Sequence, residues 1–194
     1  MRDDPQRFVT FVLGSFALAL EAALAFQTRR VWKSTGKCPI MALRGGAWET
    51  VLHAAGAFVL WPGSLLAWSY APGPVWPALD NWAWRLLGLM GFCLASSLGL
   101  FAAVELGNSW RMGPDPELTP SFVSTGIYAR FRHPMYLAVT LAGVSTFLLA
   151  PCGLFLGWAL ALAVWSRWQA RTEERFLEQR FGAPYRDYRE GRKR

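Results

Sequence analysis

Apolar residues in this chain arrive in long blocks, not at the helical or strand period that builds a half-buried surface element. The first runs from about Phe8 to Phe26, the second from about Ala47 to Tyr70, and the third from about Trp82 to Gly107. Two shorter blocks, Pro134–Ala150 and Cys152–Trp168, are separated only by Pro151 and its neighbours. A helix crosses a bilayer with about 20 apolar residues. The first three blocks meet that length. The last two, at 16 or 17 residues, sit near its lower limit and read as a tight helical hairpin. The pattern predicts an all-α integral membrane protein with about five transmembrane helices, a C-terminal hairpin and a tail. It is read as a single membrane domain, 1–194, with three N-terminal helices in 1–106.

The polar stretches between blocks set the orientation. Arg29, Arg30, Lys33, Lys37 and Arg44 form a basic first loop, and the chain from Arg167 onward holds nine of the twenty Lys and Arg. The Pro-rich connection Ala71–Asn81 has neither. By the positive-inside rule, the first loop, the long polar connection Asn108–His133 and the C-terminus lie in the cytoplasm. A multi-pass protein of the bacterial inner membrane is expected. Ala23-Leu24-Ala25 resembles a signal-peptide cleavage site, but Asp3 and Asp4 cancel Arg2 and Arg7, so a retained helix is expected. Trp61-Pro62-Gly63 should kink the second helix. Glu21 should face the bundle interior, because an ionisable group in hydrocarbon needs partners.

Composition agrees. Hydrophobic residues make up 53% of the chain and charged ones 17%, against about 25% charged in soluble domains. Eleven tryptophans suit the membrane interface. The net charge of +7 would suit nucleic acid, but the basic residues flank apolar blocks, where they meet anionic lipid instead. Cys38, Cys93 and Cys152 form neither a disulfide framework nor a metal spacing, so no metal is expected. No Gly-rich loop follows a predicted strand, which excludes a Rossmann fingerprint and a P-loop.

The candidate chemistry lies at the two feet of the hairpin. Gly126-Ile127-Tyr128-Ala129-Arg130-Phe131-Arg132-His133-Pro134-Met135-Tyr136 enters it, and Arg171-Thr172-Glu173-Glu174 leaves it. A bland reading exists for each. The first segment alone could be a basic anchor with Pro134 in an opening helical turn. The second could be a solvated helix, with Arg171 paired to Glu174 and Arg175 to Glu178 at i,i+3. Glu21, Glu49, His53 and Glu105 suit helix packing or interfacial placement, and Tyr185 and Tyr188 suit interfacial anchoring. The hairpin topology, however, brings His133 and Tyr136 close to Glu173 and Glu174, so that together they form a site at the membrane boundary.

These residues resemble the signature of the isoprenylcysteine carboxyl methyltransferases and, more loosely, of the membrane phospholipid N-methyltransferases. The likeness runs from Ser124 to Tyr136 and through Arg171–Leu177, Phe181-Gly182, Tyr185 and Tyr188, with Pro151-Cys152-Gly153 at the turn and Ser109–Pro116 upstream. The resemblance implies a catalytic region in 107–194. It implies an S-adenosylmethionine pocket at the cytoplasmic ends of the last two helices, closed by a tail helix. The positions carried over for that cofactor are Phe122, Val123, Tyr128, His133, Pro134, Met135, Tyr136 and Glu173 or Glu174. Arg171 is the match for an arginine that holds the reactive substrate group, with Arg167 as the alternative.

A carboxylate acceptor is ionised at neutral pH and needs no base, only a guanidinium to place it, for which Arg130, Arg132 and Arg171 are suited. An amine or thiol acceptor would need a base, and His133 is the first candidate. The expected substrate is a lipophilic or prenylated molecule entering from the bilayer, with carboxyl O-methylation as the closest activity. The alternatives are phospholipid or amine N-methylation, an NADPH-dependent membrane reductase of sterol-reductase type, and a non-enzymatic scaffold.

Overall fold

The computed structural model describes residues 5–39, 61–70, 73–110 and 123–191. Arg44, Glu49, His53, most of the second apolar block, Arg111–Pro116 and Phe122 lie outside the described residues, as does the side chain of Glu21. The elements are α1 (Pro5–Thr35), α2 (Trp61–Tyr70), α3 (Trp82–Leu106), a 3-10 turn (Gly107–Ser109), α4 (Gly126–Arg130), α5 (Pro134–Leu149), α6 (Gly153–Phe181) and α7 (Ala183–Glu190). Among the described residues the only strand-like pairing is one isolated bridge, Val75 to Cys152. The all-helical class is as expected.

Two helices outrun their apolar blocks. α1 continues to Thr35, so Arg29, Arg30 and Lys33 sit on its last turns and not in a loop. No residue there breaks a helix until Gly36, which adopts φ +71°, and cations suit a helix C-terminus. Likewise α6 carries both the fifth apolar block and the acidic pair in one 29-residue rod. At 1.5 Å per residue it is about 43 Å long, roughly 13 Å more than a hydrocarbon core of about 30 Å. It ends at Gly182, φ +60°, with Pro184 in the first turn of α7. The chain before Trp61 lies outside the described residues, so the expected kink falls at that edge.

α3 begins at an Asn81 cap, whose side chain accepts from the Ala83 and Trp84 amides at 3.1 and 3.3 Å. It packs along α5, and α5 along α6. Small residues let the backbones approach closely. A Cβ on Gly88 would stand 2.9 Å from the Ser145 carbonyl, and one on Gly143 would stand 3.2 Å from Cα of Ala159. The other face of α3 presents Leu86, Met90, Leu94, Phe101 and Val104, each more than half exposed. A continuous apolar stripe of that kind is not left to water. Trp82–Ser109 is long and apolar enough to cross a membrane, and α5 is a shorter apolar helix. Of the five expected crossings, this one alone meets both criteria among the described residues.

The hairpin has two different ends. At its tip, Phe92, Leu149, Cys152 and Phe155 join Val9, Leu13, Leu65 and Trp68 in a buried core. The Trp76 amide donates to the Pro151 carbonyl at 2.9 Å, tying the connection before α3 onto the turn. At its feet a smaller core gathers Val31, Ala103 and Trp110, with Met135 packed against it. There Gln27 of α1 donates to the carbonyls of Ala103 (3.1 Å) and Gly107 (3.3 Å), tying α1 to the end of α3 and the turn that follows it.

Candidate functional site

The feet are built from three directions. α4 opens at Gly126, whose φ of +55° favours glycine. The Glu105 carboxylate lies against it and accepts from the Ile127 amide at 2.7 Å. Tyr128 is buried, and its hydroxyl donates to the Ala102 carbonyl at 3.4 Å. After Phe131 and Arg132 the chain re-enters helix at Pro134, at the N-terminal turn of α5 where its missing N–H costs nothing. His133 is therefore the N-cap residue of α5.

α6 supplies the opposing wall. Gln169 and Glu173 are one turn apart and share a face. The imidazole of His133 is 3.2 Å from Glu174 Oε1 through Nε2, and 3.7 Å from Glu173 Oε2 through Nδ1. Arg132 Nη1 is 3.0 Å from the same Glu174 oxygen. The Tyr136 hydroxyl faces Glu173 and Gln169 of α6, an acceptor and an amide donor for it. Its ring stands edge-on to Trp165 at 5.9 Å.

The tail covers the site. The Tyr188 hydroxyl donates to the Tyr128 carbonyl at 2.6 Å, and Arg189 reaches back to Glu178 at 2.8 Å. Tyr185 is buried, with 1% of its surface exposed. Burial pushes the Tyr128 phenol well above its ordinary value, and the Glu173 and Glu105 carboxylates push it further. Burial also raises Tyr185, with Glu174 adding and Arg132 opposing. Both are neutral hydrogen-bond donors at physiological pH.

The fold thus brings Tyr128, Arg132, His133, Tyr136, Glu173 and Glu174 together. Pro134 is buried at the start of α5, Met135 packs on the small core of the feet, and Val123 is half-buried before α4. Arg171 and Arg167 are not in the cluster. Both are exposed, and Arg171, two residues from Glu173, points about 200° away around α6. The bland pairing fails on particulars: Glu174 pairs with Arg132 and His133, and Glu178 with Arg189, both across the fold. Tyr185, expected as an interfacial anchor, is instead packed inside.

One participant escaped sequence reasoning and two were given other roles. Gln169 could have been found from its i,i+4 spacing to Glu173. Tyr188, expected as an interfacial anchor, and Glu105, expected in helix packing, instead act on α4 from 60 and 22 residues away.

Comparison with known proteins places the hairpin and both of its feet inside a matched family region. The profile described as phospholipid methyltransferase matches residues 84–184, reaching back through α3 as well as the hairpin. The protein-S-isoprenylcysteine O-methyltransferases of Homo sapiens and Rattus norvegicus are each 30% identical over 118 residues, 58% of this chain. The match spans 41% of the length of each of those relatives. No solved structure matches the chain.

Proposed function

The chain belongs to the phospholipid methyltransferase family, and from that premise we propose that it is an integral-membrane, S-adenosylmethionine-dependent methyltransferase of a lipophilic acceptor. The reading is carried by one observation: Arg132, His133 and Tyr136 at one foot of the hairpin meet Glu173 and Glu174 at the other. We place the feet and the C-terminus on the cytoplasmic side of a bacterial inner membrane, where a water-soluble donor and a lipid-soluble acceptor can meet.

The donor set suits the cofactor. S-adenosylmethionine carries an ammonium, a sulfonium and a ribose diol. The cluster offers two partly exposed carboxylates, an imidazole and phenols held neutral. Glu173 and Glu174 would hold the cationic or hydroxyl groups, with Tyr128, His133 and Tyr136 completing the cradle and Val123, Pro134 and Met135 beside it. When bound, the cofactor supplies an electrophilic methyl group for in-line transfer.

The protein's own task is alignment and exclusion of water. Arg132, held by Glu174, presents a guanidinium at the site. An isoprenylcysteine-like acid would arrive already ionised and need such a clamp more than a base. Arg171 would join it only for an acceptor that approaches along the outer face of α6. α7, pinned by Tyr188 and Arg189, closes the aqueous side. A second reading, N-methylation of an amine headgroup, is favoured by the composition of the cluster: His133, 3.7 Å from Glu173 and 3.2 Å from Glu174, stands where a general base would be needed.

Membranes containing the protein should transfer label from methyl-labelled cofactor to a component of a lipid extract. A base-labile product identifies an ester, and a base-stable one an amine. The absence of any labelled product in membranes that contain folded protein would contradict methyl transfer.

A further inference from the structure

We propose that Glu105 is a positioning residue of the cofactor pocket: from the end of α3 it fixes the Gly126–Ile127 turn and so sets Tyr128. The inference rests on the proposed methyltransferase reading only for what Tyr128 touches.

The geometry is reciprocal. The Glu105 carboxylate accepts from the Ile127 amide at 2.7 Å, a charge-assisted bond to the first turn of α4. It fills the space a side chain on Gly126 would need. A Cβ there would stand 2.2 Å from Glu105 Oε1 and 2.5 Å from its carboxyl carbon, and the φ of +55° disfavours any side chain independently. Glycine at 126 and glutamate at 105 therefore explain each other. One turn before Glu105, the Ala102 carbonyl accepts from the Tyr128 hydroxyl. The last turn of α3 thus holds both the start of α4 and the tip of its tyrosine. From the opposite side, Tyr188 holds the Tyr128 carbonyl.

α3 is itself fixed at this point. Gln27 of α1 ties off the Ala103 and Gly107 carbonyls on either side of Glu105. A continuous set of contacts runs from α1 through the end of α3 to a wall of the pocket. α3 is then a structural part of the site and not only a membrane anchor.

The test uses the full-length protein in detergent, comparing wild type with Glu105→Ala, Glu105→Gln and Gly126→Ala. Two quantities are read: hydrogen exchange across 125–130, and affinity for S-adenosylhomocysteine. Glu105→Ala should speed exchange in that segment while α5 and α6 keep their protection. It should weaken binding about tenfold, the scale of one lost charge-assisted bond. Glu105→Gln, which keeps an acceptor oxygen, should recover most of both, and Gly126→Ala should reproduce the loss. Unchanged exchange at 125–130 in Glu105→Ala, or unchanged affinity alongside intact wild-type binding, would overturn the proposal, as would equal loosening of the whole hairpin. If wild type binds no S-adenosylhomocysteine, the methyltransferase reading fails, and the exchange result alone still decides whether Glu105 fixes the turn.

Discussion

The two ends of one hairpin solve opposite problems. At the tip, Phe155, Leu149 and Cys152 are buried among apolar side chains from α1, α2 and α3, and the contact to the preceding connection is made through backbone, by the Val75–Cys152 bridge and the Trp76 amide on the Pro151 carbonyl. At the feet, two carboxylates, an imidazole and a guanidinium pair with one another across 41 residues of sequence, with phenols beside them. Packing suffices to hold the tip. The feet hold charges that are costly unless paired, which is the arrangement of a site and not of a core. Stability and ligand binding should therefore separate along the length of α5 and α6.

The strongest blow to that separation would come from the tip. Phe155→Ala empties a fully buried position. It should cost about 3–5 kcal/mol, lowering the melting temperature in detergent while cofactor affinity in the surviving folded protein stays at the wild-type value. Midway, Gly88→Ala forces a Cβ to within 2.9 Å of the Ser145 carbonyl. The α3–α5 contact should open at a cost of about 1–3 kcal/mol, again read by melting, with affinity less affected. At the feet the signs reverse. Tyr188→Phe removes the 2.6 Å bond to the Tyr128 carbonyl. The loss of about 1 kcal/mol should appear as roughly fivefold weaker S-adenosylhomocysteine binding with little change in melting.

The smallest effect is in pH. Tyr128 and Tyr185 are raised above their ordinary value near 10 in the folded protein. Their neutral form is favoured by folding, so their contribution is fully present below about pH 10 and is lost as pH climbs toward the folded-state value. Phenolate absorbance from these two should appear only well above pH 10, and melting temperature should decline over the same range.

The comparison also explains what was legible. Apolar blocks declare themselves through hydropathy, and the hairpin follows from two short blocks split at Pro151. Helix ends do not follow from hydropathy. A helix stops at a breaker, so α1 ran on to Gly36 and α6 to Gly182, well past the ends of their continuous apolar blocks. Among site residues, His133, Tyr136 and the acidic pair were readable because they sit in dense local motifs at the feet of a predicted hairpin. Arg171 shared the motif but not the face, since two steps along a helix turn a side chain away. Glu105, Gln169 and Tyr188 were obscure because each acts through a partner on another element.

Everything turns on whether the converged feet bind a sulfonium cofactor. The direct measurement is a titration of the purified wild-type protein in detergent with S-adenosylhomocysteine and, separately, with NADPH, repeated on Glu173→Gln/Glu174→Gln. Saturable binding of S-adenosylhomocysteine, no binding of NADPH, and loss of binding by about a hundredfold or more in the folded double variant are expected, since two carboxylate contacts are removed. Saturable NADPH binding, or S-adenosylhomocysteine affinity that ignores the double substitution, would contradict the account.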